Sequence, residues 1–277
     1  MGIESELRAT PETRLAAIDP ASSPASRAAR ATRRRCSRRA SSRSATTRAA
    51  VRGEPHGGRR SLLLVLQGMD TSGKGGTVEH VLEAVDPHGL RIHAFKAPTP
   101  EEKAHDFLWR VRPQLPPPGF LGVFDRSHYE DVLIERVHAM APAEEIEKRY
   151  GIITDFEAQL VASGTTVVKI MLHISPGEQK ARLLARLDDP TKQWKFNPGD
   201  VDERGFWDQY QQAYEIAVRR TTTDAAPWYV VPADHKWYSH LAVQDILLTH
   251  LRALHAGWPS PTYDVAAQRT RVEASAI

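Results

Sequence analysis

The segment that most constrains this chain is SLLLVLQGMDTSGKGGT, residues 61–77. Its first half is apolar enough for a buried β-strand, and its second half is a Gly-x4-Gly-Lys loop that runs into a helical pattern. Glycines permit a tight turn in which consecutive backbone N–H groups converge, while Lys74 and the helix N-terminus add positive charge. This order predicts a phosphate-binding loop (P-loop) with binding residues Gly68, Gly73, Gly75, Gly76 and Thr77.

Two positions distinguish this loop from most P-loops. Gly75 stands where Ser or Thr usually supplies a hydroxyl ligand to Mg²⁺, and an acidic residue, Asp70, lies inside the loop. A carboxylate is a good ligand for a hard divalent cation. We therefore expect the site to be a phosphotransferase site that holds its metal through carboxylates.

Charge is distributed unevenly along the chain. Residues 1–60 contain fourteen arginines and five acidic residues, a net charge of +9, whereas the remaining residues carry a net charge of −6. Between residues 21 and 60, Val51 is the only aliphatic residue larger than alanine, so this stretch could bury no apolar face. These patterns predict a disordered Arg/Ala/Ser-rich tail (1–58), a P-loop domain (59–256) and a C-terminal tail (257–277).

Composition argues against several classes of protein. The single cysteine, Cys36, leaves no internal disulfide, and no apolar run reaches the roughly 18 residues that a membrane span needs. We expect a soluble protein of the reducing cytoplasm. The arginine-rich run could bind nucleic acid or act as a transit peptide, but a charge run that lacks aromatic residues and a recognition fold more often forms a solvated tail.

From residue 61 onward, strand-like runs alternate with helical patterns, which is typical of a parallel α/β sheet. We predict a three-layer αβα P-loop kinase fold with a five-stranded parallel sheet and a helical lid insertion over about 182–210. The expected strands are 62–67, 91–97, 120–125, 165–174 and 228–232. The expected helices are about 73–85, 99–113, 142–162, a helix that begins at Ser175, 206–220 and 237–255, and a further helix that begins at the Ser127–Glu130 capping box.

Charged residues follow three of the predicted strands. Strand one ends in the P-loop, strand three ends in Asp125 and Arg126, and strand five is followed by Lys236. Because ligands of open parallel sheets bind at the carboxyl ends of the strands, these side chains should meet at one edge. An acid after an apolar strand suits Mg²⁺, and an arginine at a helix N-terminus suits a phosphate.

Four motifs in the expected order resemble the polyphosphate kinase 2 family. The loop Gly68–Gly76 matches its pattern Gly-x-Asp-x-x-Gly-Lys-x-Gly, and Phe124–Tyr129 matches an acid or amide followed by Arg-Ser-x-Tyr. A lid signature runs from Arg186 to Tyr210, and a fourth motif runs from Thr221 to Tyr238. The residues of these motifs resemble the subgroup reported to phosphorylate AMP as well as ADP more than the subgroup that acts on diphosphates only.

The resemblance implies reversible transfer of the terminal phosphoryl group of inorganic polyphosphate to ADP or AMP, in line and assisted by Mg²⁺, for which Mn²⁺ could substitute. It also implies adenine or guanine nucleotides as partners and a homo-oligomer, either a dimer or a tetramer. The implied catalytic residues are Asp70, Lys74, Asp125 and Arg126, with Asp70 and Asp125 as metal ligands. Further phosphate-binding residues would be Arg186, Lys192, Lys195, Arg204 and Lys236.

Two other functions remain open at this point. One is an ATP-dependent P-loop kinase of a small molecule such as a nucleoside monophosphate, and the other is nucleic-acid binding by the arginine-rich tail. A separate hypothesis concerns residues 25–58. Members of the family usually carry a leucine-bearing helix before strand one, so this leucine-free segment could be read out of frame, which the coding DNA would test.

Overall fold

A computed structural model describes residues 2–24, 60–82, 89–254 and 261–275, and the observations below concern these residues. The described residues contain one sheet of five parallel strands in the order β2-β3-β1-β4-β5. The strands are β1 (Ser61–Gly68), β2 (Leu90–Ala94), β3 (Leu121–Asp125), β4 (Thr165–His173) and β5 (Trp228–Pro232). The predicted α/β fold is therefore confirmed. Strand β1 lies at the centre and is buried along its whole length, as its continuous apolar run predicts.

Helices cover both faces of this sheet. In chain order they are α1 (Ile3–Leu7), α2 (Lys74–Leu82), α3 (Pro100–Lys103), α4 (Ile134–Val137), α5 (Ala143–Ala162), α6 (Pro176–Asp188), α7 (Gly199–Glu203), α8 (Trp207–Thr221), α9 (Lys236–Ala253) and α10 (Val265–Glu273). Helices α2 and α9 pack together on one face, while α5 packs with α8 and against β4. Among the helices of the described residues, none has the length and apolar content that crossing a membrane requires.

The helix predicted from Thr99 to Pro113 is wrong beyond its first turn. Its capping box forms, because the Thr99 hydroxyl accepts a hydrogen bond from Glu102 N and the Glu102 carboxylate accepts one from Thr99 N. However, the helix is only four residues long. The Asp106 carboxylate accepts a hydrogen bond from Leu108 N at 3.1 Å, and such local bonds compete with helical ones.

The N-terminal segment, residues 2–24, packs against the edge of the sheet. Ala9 N donates to Trp228 O at 2.8 Å and so continues the hydrogen bonding of β5. The prediction that residues 1–58 are disordered is therefore wrong for this segment, and residues 25–58, with the frame hypothesis, lie outside the described residues. The buried apolar side chains of the segment are Ile3, Leu7, Ala9 and Leu15.

The predicted C-terminal tail contains a helix, α10. This helix is stabilised by its N-terminal capping residue and not by packing against the described residues. The Asp264 carboxylate accepts hydrogen bonds from Ala266 N and Ala267 N, which satisfies two of the free donors at the helix start. None of the side chains in α10 is buried by the described residues. The expectation of an unstructured tail is wrong for residues 265–273.

Candidate active site

A cavity of about 490 Å³ opens at the carboxyl ends of the strands. Two groups of predicted residues line it, one from the P-loop and β3 and the other from the lid and the start of α9. The first group is Asp70, Gly73, Lys74, Gly75, Gly76, Asp125 and Arg126. The second group is Arg186, Lys192, Lys195 and Lys236. The topology thus brings together residues that are up to 166 positions apart in the chain.

A second cavity of about 230 Å³ adjoins the first, and no sequence pattern predicted it. Asp70, Arg126 and Asp200 line both cavities, so these three side chains mark the junction. The smaller cavity lies between the P-loop, the lid and α8. Its other polar lining residues include Glu130, Asn197, Glu203, Tyr210 and Tyr214, and the predicted residue Gly68 also lines it.

An ion pair spans the junction between the cavities. Arg126 Nη2 donates to Asp70 Oδ1 at 2.7 Å. Arg126 has a backbone φ of 62° and Thr71 a φ of 60°, which are left-handed conformations that cost an ordinary residue about 1–2 kcal/mol each. Burial alone would lower the pKa of Arg126, but the carboxylates of Glu130 and Asp70 raise it above its ordinary value. The surrounding fold therefore holds a strained backbone that aims this arginine at Asp70.

The two predicted metal ligands have different surroundings. Asp70 is engaged by Arg126, whereas the Asp125 carboxylate accepts no hydrogen bond from any of the described residues. Within the described part of the chain, no three His, Cys, Asp or Glu side chains lie close enough to hold a metal by themselves. Two carboxylates that face a phosphate-sized cavity nevertheless fit Mg²⁺, because this ion is usually bound by one or two carboxylates together with substrate phosphates.

Lys74 folds back over its own loop. Its Nζ donates to Gly68 O at 2.8 Å and to Met69 O at 3.3 Å, and burial lowers its pKa despite the opposing effect of Asp70. Gly68 has a φ of 151°, and a Cβ at this position would lie 2.7 Å from Leu172 O. The loop therefore requires glycine there, because the backbone passes too close to β4 for any side chain.

Two of the lid cations, Lys192 and Arg186, are paired with acids or carbonyls of the lid itself. Lys192 Nζ lies 2.5 Å from Asp189 Oδ2, and Arg186 Nη1 donates to Lys195 O at 3.0 Å and lies 3.4 Å from Asp200 Oδ2. Burial and the nearby Asp70 raise the pKa of Asp200. The lid is thus closed on itself by contacts that an incoming phosphate could replace.

Two predicted phosphate-binding residues line neither cavity. Arg204 Nη1 instead donates to Gln179 Oε1 at 2.7 Å and to Pro176 O at 3.3 Å. Thr77 is fully buried within α2, and its N–H donates to Gly73 O. Neither side chain therefore faces a cavity: Thr77 is buried inside the protein, and Arg204 is half-buried and held against α6.

Sequence reasoning missed three residues that shape the site. Arg182 lies one helical turn before Arg186, and residues at i and i+4 share a helix face, so this spacing was an available signal. Asp200 lies among the lid cations and pairs with one of them. Glu130 is half-buried next to Arg126, and desolvation raises its pKa. The capping-box pattern that contains Glu130 does not indicate its place in the smaller cavity, and no local pattern marks Asp200.

Comparison with known proteins adds an independent line of evidence. Residues 33–256 match the family Polyphosphate kinase 2 (PPK2). The chain is 47% identical to the AMP/ADP-polyphosphate phosphotransferase of Meiothermus ruber over 216 residues, which cover 78% of this chain and 80% of that one. It is 42% identical to the ADP-polyphosphate phosphotransferase of Rhodopseudomonas palustris over 216 residues, covering 74% and 75%. The crystal structure of polyphosphate kinase 2 from Arthrobacter aurescens TC1 superposes with a TM-score of 0.91 at 49% identity, covering 99% of this chain and 98% of that one.

Proposed function

Since this chain belongs to the polyphosphate kinase 2 family, we propose that it transfers the terminal phosphoryl group of inorganic polyphosphate to ADP or AMP, in either direction. One observation about the site carries this proposal. A larger cavity rich in cations and a smaller cavity rich in hydroxyl and carboxylate groups meet at the Asp70–Arg126 ion pair. This arrangement gives the donor and the acceptor separate binding sites with a shared point of reaction.

The larger cavity suits the polyphosphate chain. Lys74, Lys192 and Lys236 line it together with arginines, and lysine and arginine side chains are the usual protein ligands of phosphate. The body of the protein carries a net negative charge, so the attraction for a polyanion has to come from this local cluster. Cations released from Asp189 and Asp200 would then bind phosphates and close the lid over them.

The smaller cavity suits the nucleoside part of the acceptor. Tyr210 Oη donates to Glu203 Oε2 at 2.7 Å, and His138 Nε2 lies 3.0 Å from the same oxygen, so this carboxylate is held in one position. A fixed carboxylate can accept hydrogen bonds from an amino or hydroxyl group of a nucleoside. The phosphate end of the nucleotide would then lie near Arg126, at the junction.

The strand-end residues would stabilise the transferred group. Phosphoryl transfer requires the reacting oxygens to be aligned and the charge on the equatorial oxygens to be neutralised. Arg126 and Lys74 are the cations placed for this task, and Asp70 and Asp125 are the carboxylates that would hold a divalent cation, Mg²⁺ or Mn²⁺. That cation would neutralise phosphate charge between donor and acceptor. The closed lid would exclude the water that otherwise hydrolyses the donor.

The experiment that tests this function is an exchange of donors. Purified protein is supplied with Mg²⁺ and either polyphosphate or ATP as donor, and with AMP or ADP as acceptor in parallel reactions. We expect ATP to form from polyphosphate and ADP, and ADP to form from polyphosphate and AMP. Absence of transfer from polyphosphate, together with transfer from ATP to a small molecule, would instead favour the ATP-dependent kinase.

Guanine nucleotides and a homo-oligomeric state are further parts of the proposal. Replacement of ADP by GDP in the same assay tests the base specificity, and sedimentation velocity measures the oligomeric state.

The nucleic-acid alternative predicts DNA binding that weakens steeply with salt. Deletion of residues 1–58 would not test it cleanly, because it would also remove residues 2–24, which pack on the sheet. Replacing Arg33, Arg34 and Arg35 by glutamine is the sharper variant.

A further inference from the structure

Arg182, on α6, joins the P-loop to the loop that follows β5. Its Nη1 donates to Thr71 O and to Ser72 O, both at 2.9 Å. Its Nη2 donates to Ala233 O at 2.6 Å and to Asp234 O at 3.0 Å. One guanidinium therefore holds four backbone carbonyls that belong to two separate loops of the site.

The donors of Arg182 are all used by these contacts. A guanidinium has five N–H groups, and the fifth, on Nε, donates to Glu178 Oε1 at 2.7 Å. The side chain is only 8% exposed, although it lines the larger cavity. Arg182 thus has no N–H group left for a phosphate. Arg186, one turn further along α6, differs because its Nη1 contacts one carbonyl and one lid acid.

Helix α6 contacts a third consecutive carbonyl of the P-loop through a second side chain. Gln179 is buried, and its Nε2 donates to Asp70 O at 3.1 Å. Gln179 Oε1 accepts a hydrogen bond from Arg204, which explains the position of that arginine away from the cavities. The carbonyls of residues 70, 71 and 72 are therefore all bound by α6, in a stretch where Thr71 has a left-handed backbone.

These contacts determine the directions of the P-loop N–H groups. In a trans peptide the C=O and the N–H point in opposite directions, and the described residues contain no cis peptide bond. Holding Ser72 O at Arg182 therefore fixes the direction of the Gly73 N–H, which belongs to the loop that would bind phosphate. Loss of the contact would free this peptide to rotate.

The loop that follows β5, which contacts the Nη2 side of Arg182, is itself held by several hydrogen bonds. Ala233 N donates to His173 O at 2.8 Å, and the Asp234 carboxylate accepts a hydrogen bond from Ser175 N at 2.8 Å. Asp234 N donates to Pro20 O at 3.1 Å, so the N-terminal segment also supports this loop. Arg182 therefore ties the P-loop to a part of the protein that cannot easily move.

We propose that Arg182 is a positioning residue, which aligns the P-loop for phosphoryl transfer without touching the phosphate. The inference rests on the proposed function, because it assigns a role within the same site. It predicts that Arg182 variants lose turnover rather than polyphosphate affinity, since the misalignment affects the reacting geometry and the lid cations that bind the chain stay in place.

The test compares four variants in the polyphosphate-to-ADP assay. We expect R182K to lower kcat by about a hundredfold, a loss typical of a misplacement of about 1 Å, while the polyphosphate KM changes less than about threefold. R182A should lose as much kcat and recover about tenfold in millimolar guanidinium chloride, which can occupy the vacated position. R186A is the comparison for a direct phosphate contact, and K180A is the matched control on an exposed position of α6.

Two results would overturn the proposal. One is an R182K enzyme with wild-type kcat, and the other is an Arg182 variant whose polyphosphate KM rises as much as that of R186A with kcat intact, which indicates direct phosphate binding. Thermal unfolding identifies variants that fail to fold, and if R182A is one of them, R182K decides the question. Failure of the proposed function would appear already in the wild-type enzyme, whereas failure of this inference appears only in the variants.

Discussion

The strand ends and the lid both present charged groups to the larger cavity, but they hold them differently. The strand-end cluster, Asp70, Lys74, Asp125 and Arg126, is tied to the backbone of the central sheet. Lys74 contacts two carbonyls of its own loop, and Arg126 N donates to Leu66 O in β1. The lid cations Arg186 and Lys192 instead contact carboxylates or carbonyls within their own short insertion, and Lys195 Nζ lies over the ring of Trp194.

This difference indicates two roles. Exposed ion pairs such as Lys192–Asp189 contribute about 0–1 kcal/mol, so a polyanion can replace the acid at little cost. The strand-end cluster is held by a strained backbone and by partly buried hydrogen bonds, so its geometry exists before substrate arrives. We infer that the strand ends are preorganised for the chemical step, and that the lid is arranged by its substrate.

The largest effect is expected from the carboxylates of the strand-end cluster. Asp125→Asn and Asp70→Asn should each lower kcat by about 10²–10³, because either change would remove a proposed metal ligand, and Asp70→Asn also breaks the pair with Arg126. Steady-state assays over a range of Mg²⁺ measure the loss, and circular dichroism checks the fold. Near-normal turnover in either variant would refute its assignment as a ligand.

A smaller effect is expected from Arg186 in the lid. Arg186→Gln should raise the polyphosphate KM by about tenfold with little change in kcat, because it would remove a proposed phosphate contact that forms before the chemical step. Initial rates at several polyphosphate concentrations separate the two constants. If kcat falls instead and KM is unchanged, the lid and the strand ends do not differ in the way inferred here.

Mutation of Asp189 should change the polyphosphate KM in the direction opposite to mutation of a lid cation. Its pKa is lowered to about 2, chiefly by the hydrogen bond from Lys192, so it is ionised at neutral pH. Asp189→Asn frees that lysine for phosphate and should lower the polyphosphate KM by about twofold, in line with the small energy of an exposed pair. Lys192→Gln is the matched control and should raise the KM. A KM that rises in both variants would contradict the proposal that Lys192 leaves Asp189 to bind phosphate.

The smallest effect on activity, but a clear one on stability, is expected from Asp131. This carboxyl is buried beside Arg110, and burial raises its pKa to about 7 despite the opposing effect of that arginine. The folded state therefore keeps a proton that the unfolded state loses near pH 4. Its contribution to stability is present below about pH 4 and is lost as the pH rises to about 7.

Asp131→Asn removes this titration and should flatten the free energy of unfolding between pH 4 and 7 relative to the wild type. Urea unfolding at several pH values measures the difference. Asp155→Asn, on α5, is the control, and its profile should follow that of the wild type. A wild-type stability that rises over this pH range, with the same rise in Asp131→Asn, would contradict the assigned titration.

Local sequence patterns were sufficient to predict the sheet and the position of the site. A short continuous apolar run such as Leu62–Leu66, followed at once by a glycine-rich loop, is typical of a strand covered on both faces, and the intervening helical patterns indicate parallel connections. Once the strands are parallel, their carboxyl ends meet. The meeting of Asp70, Lys74, Asp125 and Lys236 at one cavity therefore followed from residue order and strand direction.

Only the tertiary structure decided which charged groups face the cavity and which hold the fold. Arg182 and Arg186 are one turn apart and alike in sequence, yet only Arg182 is saturated by carbonyls from two distant loops. The N-terminal segment carries too few apolar residues to indicate burial, and the edge of β5 supplies the surface that buries them. The physical reason is the same in both cases: the partners of these side chains are brought close by folding and leave no mark in the neighbouring sequence.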